Sequence, residues 1–228
     1  MYKKAFAVAK LSLSQMRNVY FITGIVLILM FANFAVATAI RMEGNSSVSG
    51  GNYFILLPIL AAIFIPAQHM RKIFNLGAKR RDFFNGAAYT YIILSASAAL
   101  IMVLFHYVID RLMGIVFYEV LDMMAAFGFI QRGPVVAFLQ MFAFLTLFSA
   151  FIHTLTMIQD KWYGWVADVL IVAIISVFTP IAPLRAALVW FFNMILFHNN
   201  AAVQILFCLV LADLIYLLNK PILARKVI

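Results

Sequence analysis

Long apolar runs are the feature that most limits what this chain can fold into. A run of about 20 apolar residues is what an α-helix needs to cross the hydrocarbon core of a bilayer. Such runs fall at residues 19–40, 53–70, 88–109, 134–158, 162–179 and 201–218. We therefore predict an all-α polytopic membrane protein with six transmembrane helices.

The overall composition agrees with this class. Hydrophobic residues make up 66% of the 228 residues and charged residues only 11%, far from the usage of a soluble domain. The intervals between the runs are too short for a separate soluble domain, so we expect one membrane domain over residues 1–228. The one cysteine, Cys208, lies in an apolar run, which excludes a disulfide within the chain.

Three segments outside the spans have patterns of their own. Residues 2–18 carry basic and apolar side chains on opposite sides of a helical wheel, which predicts an amphipathic helix along the membrane surface. Residues 110–132 are too polar to span, and we expect an interfacial helix on the far side of the membrane. Residues 181–198 follow a break at two prolines and are short for a full crossing, which predicts a re-entrant segment between spans 5 and 6.

The distribution of positive charge predicts the orientation of the chain. With six spans, 13 of the 17 lysines and arginines lie on the side that holds both termini and the 71–86 loop. The positive-inside rule places that side in the cytoplasm. We therefore expect a multi-pass protein of the plasma membrane with both termini cytoplasmic. The net charge of +9 is a topology signal, and we expect no nucleic-acid partner.

The 71–86 loop, RKIFNLGAKRRDFFNG, is the long polar interval on the predicted cytoplasmic side. It places five cations and one acid between two apolar spans, and Gly77 predicts a turn within it. Phe74, Phe83 and Phe84 are expected to form an apolar face beside the charges. A short basic helix with exposed aromatic rings is able to anchor at lipid headgroups or to dock on another protein, and we favour docking.

Among the polar side chains within the predicted spans, we single out Asn33, Asp168 and Asp213 as functional candidates. The two carboxylates are both about five or six residues from the cytoplasmic ends of their helices, so they share a depth. An ionisable group inside a span is a functional candidate. Structural pairing with a basic side chain, a place in a substrate cavity and proton coupling all stay open for them.

Motifs for catalysis are absent from the sequence. No GxxxxGK[ST] loop, GxSxG elbow or HExxH pair is present, so neither ATP binding nor intramembrane hydrolysis is predicted. The four histidines lie in four different segments. We therefore expect no enzyme activity, no metal site and no cofactor bound by this chain.

The segment from Asn75 to Phe84, NLGAKRRDFF, resembles the LG-x-[ST/K]-R-x-x-F-F element of ABC-2-type ABC transporter permeases. Those proteins have about six spans, an N-terminal elbow helix, a coupling helix between spans 2 and 3 and a re-entrant element between spans 5 and 6. Each feature can be placed on this chain. The best-fitting branch is similar to the short bacterial permeases of bacteriocin, lantibiotic or phenol-soluble-modulin exporters. One departure is Lys79, which stands where Ser or Thr is common and puts the N-cap of the helix in doubt.

The resemblance implies that this chain is the permease subunit of an ATP-driven exporter. A separate nucleotide-binding ATPase subunit would hold ATP and Mg and would receive the coupling helix, with Phe83 and Phe84 as anchors. A second permease chain, identical or a close paralogue, would enclose a route lined chiefly by spans 2 and 5. The cargo would be an amphipathic or hydrophobic peptide. The implied docking residues are Asn75, Leu76, Gly77, Lys79, Arg80, Arg81, Asp82, Phe83 and Phe84.

Two other functions stay open from the sequence. A secondary transporter would use carboxylates near the midplane and usually an internal repeat, whereas the two aspartates are off-centre. A non-transporting membrane protein that binds a toxin, as immunity proteins do, has the same composition as an exporter.

Overall fold

Helices occupy most of the chain in the computed structural model, which describes residues 2–39, 46–113 and 119–225. Short 3₁₀ and π-helical turns join several of these helices. The helices are α1 (Tyr2–Gln15), α2 (Arg17–Ala39), α3 (Leu56–Phe64), α4 (Met70–Asn75), α5 (Arg80–Leu104), α6 (Asp110–Met113), α7 (Met123–Ala126), α8 (Pro134–Ile158), α9 (Trp162–Phe178), α10 (Ala182–Phe192), α11 (Ala201–Leu217) and α12 (Asn219–Arg225).

Four continuous helical segments are long and apolar enough to cross a membrane. They are Gly50–Asn75, Arg80–Ile109, Pro134–Ile158 and Ala201–Arg225. Two further segments, each made of two helices that meet at a bend, raise the number to as many as six. The prediction of an all-α membrane protein is confirmed at this level, since the predicted spans 2, 3, 4 and 6 coincide with the four continuous helices.

The two bent pairs correspond to the less regular parts of the predicted topology. Helices α1 and α2 meet at 46°, where the surface helix and span 1 were predicted. Helices α9 and α10 meet at 117°, at the junction of span 5 with the 181–198 segment. A bend of that size is the geometry of a broken span or of a re-entrant loop.

Pro58 and Pro66 lie within span 2, where each predicts a kink, and both fall at changes of helix type. Pro58 falls in the first turn of α3, directly after a 3₁₀ segment (Gly50–Ile55), and Pro66 falls in the π-helical turn Ile65–His69. A proline lacks the N–H that an α-helical turn requires. The irregular turns accommodate that loss without dividing the span.

Helices α3, α5, α8 and α11 form the centre of the bundle. Small residues let α5 and α8 approach closely: Ala98 and Ala99 are fully buried in one cluster with Ala137 and Met141 of α8. The run of small residues at 95–99, Ser-Ala-Ser-Ala-Ala, predicts close helix contact here, because small side chains let membrane helices approach one another. That prediction is confirmed.

Helix α1 packs against α5 and buries a protein-facing stripe. Gly86 of α5 makes this possible, because a Cβ atom there would lie 2.6 Å from Val8 Cγ1 and 2.9 Å from the Ala5 carbonyl oxygen. The stripe comprises Ala5, Val8, Ala9, Ser12 and Met16. Phe6 lies outside this stripe and is exposed. One face of α1 therefore packs on α5, whereas the sequence predicts a helix that contacts only the membrane surface.

Helix α9 contributes little to the core. Gly164 is its one buried residue, and most of its large apolar side chains are exposed. The corner before it is tight, since a Cβ atom at Gly164 would lie 2.4 Å from the Ile158 carbonyl oxygen. This helix therefore leaves the bundle at a sharp turn and presents its apolar surface outward.

A short parallel ribbon lies at one end of the bundle. Strand β1 (Ser46–Val48) pairs with strand β2 (Glu119–Leu121), with Ser47 opposite Val120. The prediction of a single interfacial helix over 110–132 is wrong, because the described part of that segment divides into α6, β2, α7 and a 3₁₀ turn (Phe129–Arg132).

Candidate functional site

The predicted docking segment forms the tip of a helical hairpin, which we call the basic tip (residues 70–85). Its helical residues continue the two flanking segments Gly50–Asn75 and Arg80–Ile109, so the predicted coupling helix is not seen as an element of its own within residues 70–85. Helix α4 ends at Asn75, and the N–H of Leu76 donates to the Lys72 carbonyl at 3.2 Å. Gly77 then adopts a φ of 81°, a left-handed conformation that favours glycine. Helix α5 begins three residues later, at Arg80.

The N-terminus of α5 lacks a side-chain cap. Lys79 occupies the N-cap position and makes no side-chain capping hydrogen bond, since a lysine has no acceptor to offer the first backbone N–H groups. Asp82 lies in the first turn and is buried. A carboxylate near a helix N-terminus interacts favourably with the helix dipole, and this partly compensates for the missing cap.

Phe83 does not form the exposed anchor that the sequence predicts. It is 1% exposed and belongs to the largest hydrophobic core cluster. Its ring lies 5.3 Å from that of Phe74, which is only partly buried and precedes the turn. Phe83 therefore joins the two arms of the hairpin internally and offers no surface to a partner in this conformation.

Phe84 connects the basic tip to the C-terminal helices. Its ring centroid lies 4.6 Å from that of Tyr216, whose hydroxyl donates to the Phe84 carbonyl at 2.7 Å. The Lys220 ammonium lies 5.4 Å from the same ring, a cation–π distance. Arg80 donates to the carbonyl of Ala224. These contacts fix the tip to α11 and α12 around an open hollow of about 420 Å³.

The surface that the basic tip offers is cationic, with one exposed apolar side chain. Leu76 is 69% exposed at the apex of the turn. The exposed cations around it are Arg71, Lys72, Lys79, Arg80 and Arg81. Asn75 and Gly77 are exposed as well. Six of the nine implied docking residues are therefore exposed: Asn75, Leu76, Gly77, Lys79, Arg80 and Arg81. Asp82 and Phe83 are buried, and Phe84 is partly buried.

The two predicted intramembrane carboxylates have different surroundings. Asp168 of α9 accepts a hydrogen bond of 2.7 Å from the Gln159 side-chain amide. Asp213 of α11 borders an apolar hollow of about 230 Å³ between α5, α8 and α11. Within the described chain, no hydrogen bond or ion pair joins the two carboxylates. Asn33 lies in α2, and its side chain is outside the described part.

Two buried polar contacts that the sequence pattern missed link α8 to its neighbours. The Tyr91 hydroxyl lies 2.6 Å from Nδ1 of His153. Gln140 donates to the side-chain oxygen of Gln204, whose own amide donates to the Ile195 carbonyl at 2.6 Å. Hydrogen bonds between membrane helices stabilise packing modestly, so these contacts have a structural role.

A third polar group, which we call the histidine–aspartate cluster (His106, Asp110 and Asp122), lies beside the β-ribbon. His106 Nδ1 is 2.7 Å from Asp122 Oδ2. The Ser49 hydroxyl donates to Asp110 Oδ2 at 2.6 Å, and Asp122 Oδ1 caps α7 by accepting from the Met124 N–H at 3.1 Å. Both aspartates are 8% exposed. One potential ligand atom from each of the three residues lies within 4.8 Å of the others.

The local backbone holds this cluster in place. Ser49 directly follows β1, and its N–H donates to the Leu121 carbonyl at 2.9 Å. The Asn52 side chain binds the end of the ribbon. Its amide N–H donates to the Leu121 carbonyl and its oxygen accepts from the Met123 N–H, both at 3.0 Å. His106 comes from the π-helical turn Phe105–Ile109 at the end of α5.

Burial dominates the electrostatics of Asp110. Desolvation raises the pKa of its carboxyl group, and the Asp122 carboxylate adds to the increase, while the Ser49 hydrogen bond and His106 oppose it. A folded-state pKa above the unfolded value means that the charged form is less favourable in the fold than in water. Keeping Asp110 ionised in this cluster therefore costs free energy relative to water.

One sequence signal for this cluster was overlooked. Asp110 follows His106 by four residues, a spacing that places two side chains on the same face of a helix. Asp122 comes from a separate segment, and its approach depends on the pairing of strands more than seventy residues apart. The first pair was accessible from the sequence, but the third member was not.

Comparisons with known proteins do not assign this chain to a family. No family model matches it, and no curated protein or solved structure does either. The fold defines a class, a helical membrane protein with four to six candidate spans, and the residues of the basic tip and of the histidine–aspartate cluster define its two candidate sites.

Proposed function

We propose that this chain is the permease subunit of an ATP-driven exporter and that a separate ATPase subunit docks on the basic tip. The observation that carries the proposal is the tip itself: exposed cations surround the exposed Leu76 at the apex of a hairpin between two spans. A central apolar side chain with charged neighbours is how many protein interfaces combine affinity with orientation.

The way the tip is attached supports a role in transmitting movement. Phe83 lies in the core cluster one turn from the exposed surface, and Phe84 and Arg80 contact α11 and α12. A displacement of the tip would move α5 as a rigid body, because packed helices do not deform continuously. Under this proposal the anchors are Leu76 and the exposed cations, in place of Phe83.

The outward surface of α9 supports the proposed second permease chain. Val169 and Val172 are more than 60% exposed on this helix, which buries little else against its own chain. A pair of such chains would enclose a route for an amphipathic or hydrophobic peptide, with ATP and Mg bound by the partner ATPase. Both termini would face the cytoplasm, as the charge distribution predicts.

The docking proposal is tested by reversing charge at the tip. In the host that encodes this chain, the tagged protein is purified from membranes in mild detergent, and ATP hydrolysis and ATPase subunits are measured in the eluate. The variant Lys79→Glu/Arg81→Glu reverses the charge of two exposed cations of the basic tip. We expect it to lose the ATPase while the wild type retains it.

A matched control separates docking from a change in net charge. Lys4→Glu/Lys10→Glu makes the same charge change on the exposed side of α1 and is expected to retain the ATPase. Equal ATPase in both variants would refute docking at the tip. A wild-type chain that carries no ATP-hydrolysing partner would refute the exporter function as a whole.

Pairing through α9 is tested by cross-linking. With Cys208 replaced by alanine, Val169→Cys introduces one thiol on α9, and Leu206→Cys introduces one on the exposed side of α11. We expect oxidation in membranes to give a disulfide-linked dimer through Val169→Cys and much less through Leu206→Cys. The same yield from both positions would count against a specific α9 interface.

A further inference from the structure

We propose that the histidine–aspartate cluster binds a divalent transition-metal ion of the zinc type. The three side chains that would hold it are His106, Asp110 and Asp122. The site is distinct from the basic tip, since α5 separates the two: Arg80 begins that helix and His106 lies in the turn that ends it. The proposal does not depend on the exporter function.

The arrangement of ligand atoms is the first observation behind this site. One imidazole nitrogen and two carboxylate oxygens lie within 4.8 Å of one another. Three protein ligands of this type, with a fourth position left for water, are a common zinc arrangement. A zinc ion about 2.1 Å from each ligand would separate the ligand atoms by about 3.4 Å. The cluster reaches that spacing through adjustments of about an ångström.

An unpartnered buried oxygen is the second, independent observation. Asp110 is 8% exposed, and its Oδ1 atom has no hydrogen-bond partner among the described residues. The other oxygen of the same group is held by Ser49, so Oδ1 is fixed in orientation. Burying a carboxylate oxygen without a partner is costly, and a bound cation removes that cost.

The charge balance favours a cation over a further hydrogen bond. Two carboxylates face a single imidazole, and no lysine or arginine forms an ion pair with them within the described part of the chain. The nearest cation in sequence, Arg111, lies over the Tyr107 ring at 5.7 Å. With both carboxylates ionised, their two negative charges outweigh the single positive charge that a protonated imidazole would supply. A divalent ion reverses this and pairs with both aspartates at once.

The donor set indicates which metal ions fit. Imidazole nitrogen suits zinc, copper, nickel and iron, whereas magnesium and calcium prefer oxygen ligands throughout. The π-helical turn that presents His106 is also a feature found frequently at functional sites. A bound ion would connect the end of α5 to the segment between β2 and α7, and it would so fasten the ribbon to the bundle.

Metal titration of the purified full-length chain tests the site. The tag-free protein in detergent is stripped with EDTA and titrated with Zn²⁺, with calorimetry for stoichiometry and thermal unfolding for stabilisation. We expect one zinc ion per chain and a rise in melting temperature that Mg²⁺ does not reproduce. Co²⁺ in place of Zn²⁺ should give visible absorption bands that report nitrogen and oxygen coordination.

The variants are chosen to preserve the fold. Asp110→Asn keeps an acceptor for Ser49, and Asp122→Asn keeps the cap of α7, because asparagine is as good an N-cap as aspartate. Each, like His106→Ala, should weaken zinc binding at least tenfold, since even residues behind the ligands contribute roughly 10- to 100-fold. His198→Ala removes a partly buried histidine elsewhere in the chain and should leave binding unchanged.

Two results would overturn the proposal. One is wild-type protein that binds no zinc and shows no thermal shift at millimolar Zn²⁺. The other is zinc binding that survives in Asp110→Asn and His106→Ala but falls in His198→Ala, which would place the ion on His198. Because Asp110→Asn removes a buried charge, its metal-free form should be at least as stable as the wild type. A lost zinc response in that variant is then not a folding defect.

Discussion

The hydroxyl of Tyr91 lies 2.6 Å from Nδ1 of His153 and joins α5 to α8 inside the bundle. Tyr216 from α11 lies close to both rings, with centroids 6.3 Å from Tyr91 and 5.3 Å from His153. Tyr91 and His153 are at most 3% exposed. Three central helices therefore meet at one aromatic and polar contact.

Tyr91→Phe should lower the stability of the protein by about 1 kcal/mol, because it removes the hydrogen bond to His153 and keeps the ring. Thermal unfolding in detergent measures the change. Tyr89→Phe is the matched control on the same helix, since Tyr89 is only partly buried, and it should have little effect. A Tyr91→Phe protein as stable as the wild type would mean that the contact contributes nothing net.

Gly86→Ala should loosen α1 from α5. The added methyl group would lie 2.6 Å from Val8 Cγ1 and 2.9 Å from the Ala5 carbonyl oxygen, so the two helices must separate. We expect a cost of about 1–3 kcal/mol, as for other overpacked sites, measured by thermal unfolding. Gly24→Ala is the control, because nothing lies within 4 Å of its added methyl group and alanine favours the helix. Stability losses of the same size in both would contradict the tight contact.

Phe83→Ala and Leu76→Ala should have opposite profiles. Truncating the buried Phe83 should destabilise the fold by about 3 kcal/mol or more. Truncating the exposed Leu76 should change stability by no more than about 0.5 kcal/mol while reducing association with the proposed ATPase. Thermal unfolding and the ATPase co-purification described above are measured side by side. If Leu76→Ala retains full association, the apex of the turn is not the anchor.

Gln204→Leu should weaken the attachment of the π-helical turn Asn193–Phe197 to the bundle. Gln204 bonds both to Gln140 and to the Ile195 carbonyl, so its loss leaves two buried groups without this partner. We expect a destabilisation of about 1–3 kcal/mol. The double variant Gln140→Leu/Gln204→Leu should recover part of it, because both side-chain partners are then apolar. Thermal unfolding of the three variants forms the comparison, and strictly additive losses would argue against a coupled pair.

The spans were predictable because each depends on local composition. The run 134–158 coincides with α8 from end to end, and Pro134 marks its first turn, where a proline fits a helix best. Burial was less predictable. Phe83 and Phe84 are adjacent and chemically identical, yet only the first is fully buried, since which helix face meets a neighbour depends on tertiary packing.

The pairing of strands that are distant in the sequence could not be predicted. The β-ribbon joins Ser46 to Glu119, and neither segment alternates strongly enough to predict a strand. The histidine–aspartate cluster depends on the same strand pairing. The sequence therefore indicates only that His106 and Asp110 share a helix face, and it does not indicate that Asp122 joins them. The basic tip was correctly located between two spans, but its internal geometry depends on how Phe83 packs.

The tight corner at Gly164 limits how α9 can move. The backbone of Ile158 lies where a side chain at Gly164 would be, so α8 and α9 are in close backbone contact at this corner. We expect α9 to move by rotating as a rigid helix about the end of α8. Any rearrangement that opens a path beside α9 would therefore be widest at the α10 end and smallest at the corner.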